Sequence, residues 1–271
     1  MITVLGASGF IGARLVERLE TLGLEFQDIG RRDALPAGSL GHVIYCIGVT
    51  ADFRSRPFDT VEAHVCRLLE VLRKCDLESL LYLSSTRLYS AGDSTDEQSA
   101  LRFAPLDASD LYNASKAMGE SLVLNSGRCT RVVRISNVYG PDFASHNFLS
   151  SLIKDAIIRK KIVFQTSADS AKDYISVDDV VDGLIRIAMN GKERIYNLAS
   201  GVNVSNRQLA GVLRHVTGCC VEFSPAASSV NNPRINIERM QTEFDFKPSL
   251  VLDDMEHLVD LYRLHLESSH D

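Results

Sequence analysis

The sequence predicts an α/β protein in which helices cover both faces of a doubly wound parallel sheet. Three observations lead to this fold class. The chain opens on a short apolar run, a glycine-rich turn and an amphipathic segment, and further short apolar runs then alternate with segments of helical period. With 271 residues, the chain is also long enough for one large domain or for a larger domain with a smaller partner.

The opening stretch is the most informative of these features. Residues 2–5 are apolar, as expected of a buried strand, and residues 13–19 have the period of an amphipathic helix. The turn between them follows a Gly-x-x-Gly-x-x-Gly spacing, in which the first glycine permits the bend, the second lets the backbone approach a pyrophosphate and the third lets the helix pack closely. The start of the helix adds free N–H donors and a positive dipole end. We expect a dinucleotide to bind here, held by Gly6, Ser8, Gly9, Phe10, Ile11 and Gly12.

The predicted second strand, residues 24–30, is followed by Arg31 and Arg32. The end of the second strand is where a dinucleotide fold contacts the adenosine ribose. An acidic residue there hydrogen-bonds the 2′-hydroxyl of NAD, whereas arginine accommodates the extra phosphate of NADP. The two arginines therefore favour NADP, and the nearby Asp28 and Asp33 keep NAD as the alternative.

The composition argues against several other classes of protein. A net charge of −6 disfavours a nucleic-acid surface, which would show a basic excess. No apolar run reaches the roughly 18 residues that span a bilayer, and no basic leader precedes the first strand, so we expect a cytoplasmic protein without membrane contact. The six cysteines lack the spacing of metal ligands, which predicts reduced thiols and no metal site.

A hydroxyl-ended strand and a Tyr-x-x-x-Lys helix follow in order. Residues 79–85 are an apolar run that ends in Ser84, Ser85 and Thr86. Tyr112 and Lys116 are spaced to share one face of a helix. A tyrosine titrates near pH 10, so acid–base work near neutrality requires about 4 kcal/mol of phenolate stabilisation. Lys116 and an oxidised nicotinamide would supply positive charge for this task.

In this order, the glycine turn, the hydroxyl-ended strand and Tyr-x-x-x-Lys resemble the extended branch of the short-chain dehydrogenase/reductase superfamily, whose members modify nucleotide sugars. The resemblance implies that Ser85, Tyr112 and Lys116 are catalytic, and that Tyr112 and Lys116 also contact the cofactor. It further implies a Rossmann-type dinucleotide-binding domain over 1–138, to which segments near 174–198 return. The remaining residues, 139–271, would form a smaller, interleaved substrate-binding domain.

Later motifs of the family supply candidate substrate-binding residues. Asn137 lies in an Arg-x-x-Asn-Val-Tyr-Gly-Pro run, where the family's asparagine hydrogen-bonds the substrate pyrophosphate. Lys172 replaces the arginine of the family's Arg-Asp-Tyr-Ile-His-Val-Asp-Asp segment, and Arg234 falls where relatives contact the nucleotide. With the polar residues that follow the third and fourth strands, the expected substrate contacts are Thr50, Ser85, Thr86, Asn137, His146, Lys172 and Arg234.

Three residues depart from the family's patterns. Arg87 follows the active hydroxyl, where the nucleotide-sugar 4,6-dehydratases carry an Asp-Glu pair, and this disfavours dehydration. His64 stands where extended members usually carry Asn. His146 resembles an acid of the GDP-fucose synthases, but Arg87 replaces that family's companion cysteine, so a structural or substrate-contacting role is favoured.

These observations predict an NAD(P)-dependent oxidoreductase that acts on a nucleotide-activated sugar. A 4-ketoreductase is favoured, because NADPH typically serves net reduction. A 4-epimerase with retained NAD is the alternative, and a cofactor-sensing binding protein without chemistry is the third hypothesis. The resemblance also implies a homodimer.

Overall fold

The computed structural model describes residues 1–36, 38–50, 52–143, 145, 147–230 and 232–268. The chain divides into two compact units, and each takes segments from separate parts of the sequence. The first comprises Met1–Ser136, Val177–Leu198 and Asn236–Lys247. The second comprises Asn137–Ser176, Ala199–Ile235 and Pro248–Asp271. The return of 236–247 to the first unit has no counterpart in the sequence analysis.

The first unit is built on a six-stranded sheet in which all neighbouring strands are parallel. Its strands are β1 (Ile2–Leu5), β2 (Phe26–Ile29), β3 (His42–Tyr45), β4 (Ser79–Ser85), β5 (Thr130–Ile135) and β9 (Ile195–Leu198). Their spatial order is β2-β1-β3-β4-β5-β9, so the chain reverses its direction of winding between β1 and β3. This arrangement confirms the predicted doubly wound α/β fold. It brings the carboxyl ends of β1, β3 and β4 together at the switch point, where such sheets bind ligands.

Helices pack against this sheet because its inner strands are buried on both faces. All four residues of β1 and the first six residues of β4 are buried. The helices of the first unit are α1 (Phe10–Thr21), α2 (Pro57–Val61), α3 (Arg67–Lys74), α4 (Asp110–Leu124), α6 (Val177–Asn190) and α8 (Glu238–Phe244). A π-helical turn over Glu62–Cys66 joins α2 to α3, and a 3₁₀ turn over Thr86–Tyr89 follows β4.

The second unit contains two smaller sheets. Its strands are β6 (Asn137–Tyr139), β7 (Lys161–Thr166), β8 (Ala171–Ser176), β10 (Asn203–Ser205) and β11 (Cys220–Ser228). The first sheet has the order β10-β8-β6 and the second pairs β11 with β7. The helices are α5 (Phe148–Lys154), α7 (Asn206–Thr217) and α9 (Val251–Ser268). Their apolar faces share a core that includes Phe164, Leu209 and Met255.

In the described part of the chain, no helix combines the length and the apolar character needed to cross a membrane. The described residues likewise contain no group of three or more His, Cys, Asp or Glu side chains placed to hold a metal ion.

Candidate active site

The glycine turn joins β1 to α1 with a very close approach of backbone to backbone. Gly6 has φ +90°, a conformation that strains other residues. A Cβ atom on Gly12 would lie 2.2 Å from the carbonyl oxygen of Gly6, so α1 can start this near the turn only with glycine at this position. Within the described residues, no side chain caps α1 at Gly9 and no acidic residue lies in its first turn. The start of α1 is therefore a cradle of backbone N–H donors, and it suits the pyrophosphate of a dinucleotide.

The end of β2 opens into a cavity of about 300 Å³ that both predicted arginines line. A third arginine, Arg67 from α3, also lines it, together with the carboxylates of Asp59, Glu62 and Glu70. Arg67 donates hydrogen bonds to the carbonyl of Asp33 at 2.5 Å and to the carboxylate of Glu70 at 2.6 Å. The carboxylate of Asp33 accepts a hydrogen bond from the Gly30 N–H at 2.7 Å. This nearby acid therefore stabilises the turn after β2.

Ser85 and Tyr112 meet at the carboxyl end of β4, and Lys116 reaches the same strand at the carbonyl of Leu83. The Ser85 hydroxyl hydrogen-bonds the phenol of Tyr112 and also accepts the backbone N–H of Arg87 at 3.2 Å. The neighbouring Ser84 is buried, and its hydroxyl has no hydrogen-bond partner among the described residues. Because successive side chains of a strand point to opposite faces, only one of the two serines can face the tyrosine.

The pKa values at this site are set mainly by burial. Burial raises the pKa of the Tyr112 phenol, while the hydrogen bond from Ser85 and the charge of Arg87 lower it. Burial also lowers the pKa of Lys116 to about 7, partly opposed by the carboxylate of Glu120. The Lys116 ammonium, 5% exposed, donates to the carbonyl of Leu83 at 2.8 Å.

His64 is fully buried and connects the loop after β3 to α4, the helix that carries Tyr112 and Lys116. Its Nε2 accepts the backbone N–H of Val49 at 3.2 Å, and its Nδ1 lies 2.8 Å from the hydroxyl of Ser115. The Ser115 hydroxyl donates to the carbonyl of Tyr112 at 2.8 Å. These partners assign the neutral tautomer with its proton on Nδ1, and burial, with the nearby Lys116, lowers the pKa of His64 to about 2. The imidazole also contacts the Tyr112 ring edge-on at 5.2 Å between centroids.

Two buried tyrosines from the sheet hold the π-helical turn that carries His64. Tyr45 donates its hydroxyl to the carbonyl of Ala63 at 2.7 Å, and Tyr82 donates to the carbonyl of His64 at 3.1 Å. Carbonyl groups that leave the regular i→i−4 pattern in a π turn need such partners when they are buried. The two tyrosines thus fix the backbone of the turn that carries His64.

A buried ion pair supports the far side of α4. Arg134 of β5 and Glu120 of α4 approach to 2.6 Å, with side chains 3% and 4% exposed. Arg134 also donates to the hydroxyl of Tyr89 at 2.7 Å, which donates in turn to Asn197 at 2.8 Å. The amide of Asn197 donates to the carbonyl of Asn236 at 2.9 Å, and this contact ties the segment 236–247 to the first unit.

Aromatic and cationic side chains pack around the ring of Tyr112. The ring of Phe53 lies 5.0 Å from the Tyr112 ring between centroids. The guanidinium of Arg54 stacks on Phe53 at 4.5 Å, and that of Arg87 lies 5.1 Å from the same ring and 5.9 Å from the Tyr112 ring. Arg54 donates to the Ser109 hydroxyl at 2.9 and 3.1 Å, which leaves Ser109 without a capping role at the start of α4.

The structure places the remaining predicted contacts as follows. Thr50 is exposed in the loop after β3, and Thr86 lies next to Ser85, with its hydroxyl 3.5 Å from the carbonyl of Ile135. The other three described residues belong to the second unit. Asn137 donates to the carbonyl of Asp173 at 2.8 Å, Lys172 lies 4.5 Å from the ring of Phe148, and Arg234 donates to the carbonyl of Gly201 at 2.5 Å. His146 lies outside the described residues.

Sequence reasoning did not identify Arg67, Phe53 or Ser115 as parts of the site. Arg67 is one helical turn after His64 and so faces the same side of its helix, which is a signal that the sequence contains. Ser115 lies inside the Tyr-x-x-x-Lys motif, but nothing local indicates that its partner is His64. Phe53 follows the third strand, and nothing in the sequence indicates that an apolar residue there contacts Tyr112.

The fold and this constellation agree with the resemblance to the short-chain dehydrogenase/reductase superfamily that the sequence motifs indicate. The family model described as "NAD dependent epimerase/dehydratase family" matches residues 32–199, and the chain belongs to this family.

Two curated relatives illustrate the range of activities within it. A dTDP-glucose 4,6-dehydratase of Streptomyces griseus is 26% identical over 69% of this chain, but the match spans only 59% of that protein. A dTDP-4-dehydro-6-deoxy-D-allose reductase of a Streptomyces species is 24% identical over 97% of this chain and 96% of its own length.

Solved structures share the fold. MoeE5 in complex with UDP-glucose and NAD superposes with a TM-score of 0.81 at 21% identity, covering 98% of this chain and 99% of that one. RMD from Pseudomonas aeruginosa complexed with NADPH gives a TM-score of 0.78 at 19% identity, covering 97% of this chain and 100% of that one.

Proposed function

We propose that the protein is an NADPH-dependent reductase that converts a ketone at C4 of a nucleotide-activated sugar to a hydroxyl. The buried contact of Tyr112 with Ser85, beside Lys116 and at the same sheet edge as the glycine turn, is the observation that carries this proposal. Together they bring an acid, a second hydroxyl donor and a cation next to a dinucleotide cradle. This is the minimum set for adding a hydride and a proton to a ketone.

Each of the three residues has a distinct task. The cofactor, when bound, supplies the hydride to the sugar carbon. Tyr112 donates its phenolic proton to the ketone oxygen, and Ser85 hydrogen-bonds that oxygen and the phenol. Burial keeps Tyr112 protonated in the resting enzyme, as a proton donor requires. Ser85, Arg87 and the charged form of Lys116 then stabilise the phenolate that proton donation leaves behind.

Arginines at the end of β2 support NADPH as the reductant. Arg31 and Arg32 line the cavity there with Arg67, and the 2′-phosphate of NADPH requires such positive charge. The solved structures that share the fold include both an NAD and an NADPH complex. One relative that this chain covers almost completely is a dTDP-4-dehydro-6-deoxy-D-allose reductase, whose name denotes the reduction of a dTDP-linked keto sugar.

A 4-epimerase with retained NAD is the second candidate, and one observation favours it. Carboxylates of Asp59, Glu62 and Glu70 line the same cavity as the arginines. A carboxylate there would accept a hydrogen bond from the 2′-hydroxyl of NAD. A 4-epimerase reduces and reoxidises its NAD without releasing it.

The deciding measurement is mass spectrometry of the nucleotide released when freshly purified protein is denatured. We expect no stoichiometric NAD, and at least about tenfold tighter binding of NADPH than of NADH to the empty protein. Arg32→Ala should remove most of this preference, whereas Arg207→Ala, an exposed arginine of α7, should not. Stoichiometric NAD would overturn the reductase and favour the 4-epimerase.

Turnover of keto sugars tests the chemistry itself. NADPH oxidation is followed with 4-keto derivatives of UDP- and dTDP-hexoses, and Tyr112→Phe should lower kcat by about 10²–10⁴-fold while leaving the Kd for NADPH unchanged. Tyr262→Phe is the matched control, because Tyr262 is a buried tyrosine of the second unit. Equal turnover by Tyr112→Phe, or none by the wild type with no retained NAD, would contradict both enzymatic proposals and revive the cofactor-sensing hypothesis.

A further inference from the structure

Arg87 is a half-buried cation that no acidic side chain neutralises within the described residues. It lies in the 3₁₀ turn after β4, and its backbone N–H is bonded to the catalytic Ser85. Its Nε is buried without a hydrogen-bond partner among the described residues. The carboxylates of Asp107 and Asp110 act on it through space, but both accept hydrogen bonds elsewhere, from Ser109 N–H and from Ala104 N–H.

The surroundings of Arg87 favour the binding of an anion to its guanidinium. Burial and the neighbouring Arg54 both lower the pKa of the Arg87 guanidinium. An arginine nevertheless stays protonated in proteins. Arg54 is bonded to the neutral hydroxyl of Ser109, and the two guanidinium groups share the ring of Phe53. A partly buried charge of this kind is stabilised by an opposite charge with hydrogen-bonding oxygens.

We propose that Arg87, supported by Arg54, binds a carboxylate of the substrate sugar next to the reacting carbon, so that the substrate is the 4-keto derivative of a nucleotide-linked uronic acid and the product is the uronic acid. The inference rests on the proposed reaction at C4. The guanidinium lies 5.9 Å from the ring of Tyr112, whose hydroxyl must reach the oxygen on C4. In a hexuronic acid the carboxylate is attached to C5, the neighbour of C4, whereas the diphosphate is attached to C1 across the ring.

The chemistry of the pair fits this assignment. A guanidinium offers parallel N–H donors to the two oxygens of a carboxylate, and such bidentate contacts give orientation as well as affinity. A carboxylate held by Arg87 would fix the sugar ring relative to Tyr112 and Ser85.

The test compares sugars that differ only in the carboxylate. Calorimetric titrations use the full chain with oxidised cofactor bound, in a Tyr112→Phe background that prevents turnover. The four probes are UDP-glucose, UDP-glucuronic acid, dTDP-glucose and dTDP-glucuronic acid. We expect the acid to bind at least about tenfold more tightly than the neutral sugar of the same nucleotide, and Arg87→Gln to bring this ratio to about one. Arg207→Gln, an exposed arginine, should preserve the ratio.

Each other outcome has a defined meaning. Equal binding of acid and neutral sugar, or a preference that survives Arg87→Gln, overturns the inference and leaves the proposed function intact. Equal weakening of both sugars by Arg87→Gln assigns the residue to the diphosphate and also overturns it. Failure of all four probes to bind contradicts the proposed function itself. If Arg87→Gln does not fold, Arg87→Lys replaces it, and a ratio that falls by less than about threefold then counts against bidentate recognition.

Discussion

Helices α1 and α7 each have twelve residues, but they begin in opposite ways. In α7, the hydroxyl of Ser205 accepts the Gln208 N–H at 3.2 Å and the Gln208 side chain accepts the Ser205 N–H at 2.9 Å, a complete capping box. In α1 the cap residue is Gly9, and no described side chain takes the corresponding donors. The glycines differ as well, because a Cβ on Gly12 would meet backbone at 2.2 Å and one on Gly211 would meet nothing within 4 Å.

The difference separates a helix start built for stability from one built for a ligand. A capping box satisfies backbone donors within the chain and stabilises α7 by about 1 kcal/mol. The start of α1 lacks this stabilisation, and its backbone N–H donors stay available. A bound anion would accept hydrogen bonds from them. The cofactor should therefore stabilise the first unit, and its removal should leave α1 as a weak point.

Alanine at the two glycines should give the largest contrast. Gly12→Ala must displace backbone, so we expect a loss of at least about 3 kcal/mol in the free energy of unfolding and no detectable cofactor binding. Gly211→Ala, at an exposed and open site, should stabilise the protein by about 0.5–1 kcal/mol. Urea unfolding and cofactor titration measure both effects. A Gly12→Ala protein of normal stability and affinity would show that α1 does not need its close approach.

Acid sensitivity should reside in the first unit, at His64. Its pKa is lowered from the unfolded value of 6.5 to about 2, so only the unfolded chain takes up this proton between these values. The stabilisation is complete above pH 6.5 and is lost as the pH falls, by about 1.4 kcal/mol per pH unit. His64→Asn should flatten the dependence of unfolding free energy on pH between 6.5 and 5. His215→Asn, an exposed histidine of α7, is the control, and an unchanged slope in His64→Asn would place the acid sensitivity elsewhere.

Adding a cap to α1 should exchange cofactor affinity for stability. Gly9→Asp provides the missing acceptor and complements the helix dipole, so we expect the protein without cofactor to gain about 0.3–1 kcal/mol. The carboxylate would also repel the pyrophosphate, and the Kd for the cofactor should rise at least about tenfold. Gly9→Ala separates charge from size, because its Cβ would sit at an ordinary 3.4 Å from the oxygen of Gly6. Unchanged affinity in Gly9→Asp would mean that the pyrophosphate binds away from this helix.

Removing the cap of α7 should give the smallest effect. Ser205→Ala leaves the donors of α7 without their acceptor and should cost about 1 kcal/mol in unfolding free energy. Cofactor affinity should not change, because α7 belongs to the second unit. Thermal unfolding with and without cofactor measures both quantities, and a loss of affinity in Ser205→Ala would contradict the division of roles drawn between the two helices.

Several parts of the site could be predicted because the sequence specifies them locally. The spacing of Gly6, Gly9 and Gly12 predicted a strand, a turn and a helix, since φ above zero and close backbone approach are properties of glycine itself. Ser205 carries a local signal of the same kind, because a Ser immediately before a segment of helical period is typical of a helix start. The Tyr-x-x-x-Lys spacing likewise placed Tyr112 and Lys116 on one helical face.

Other parts required residues that are distant in the chain. The sequence indicated that His64 is unusual, but its role depends on Val49 and on Ser115, which is 51 residues away. Arg67 reaches the end of β2 from α3, and its partner Asp33 is 34 residues away. The return of 236–247 to the first unit depends on Asn197 and the buried ion pair behind it, and no local pattern encodes such a network.

The sequence by itself determined the fold class, the dinucleotide turn and the residue types that can perform the chemistry. Backbone preference and residue spacing are enough for these, because each acts over a few neighbouring residues. Only the tertiary structure decided that burial lowers the pKa of Lys116 to about 7 and that Arg87 is left without an acidic partner among the described residues. The physical reason is that burial and charge pairing arise when separate segments of the chain pack together and exclude water, and solvation of this kind is a property of the assembled molecule.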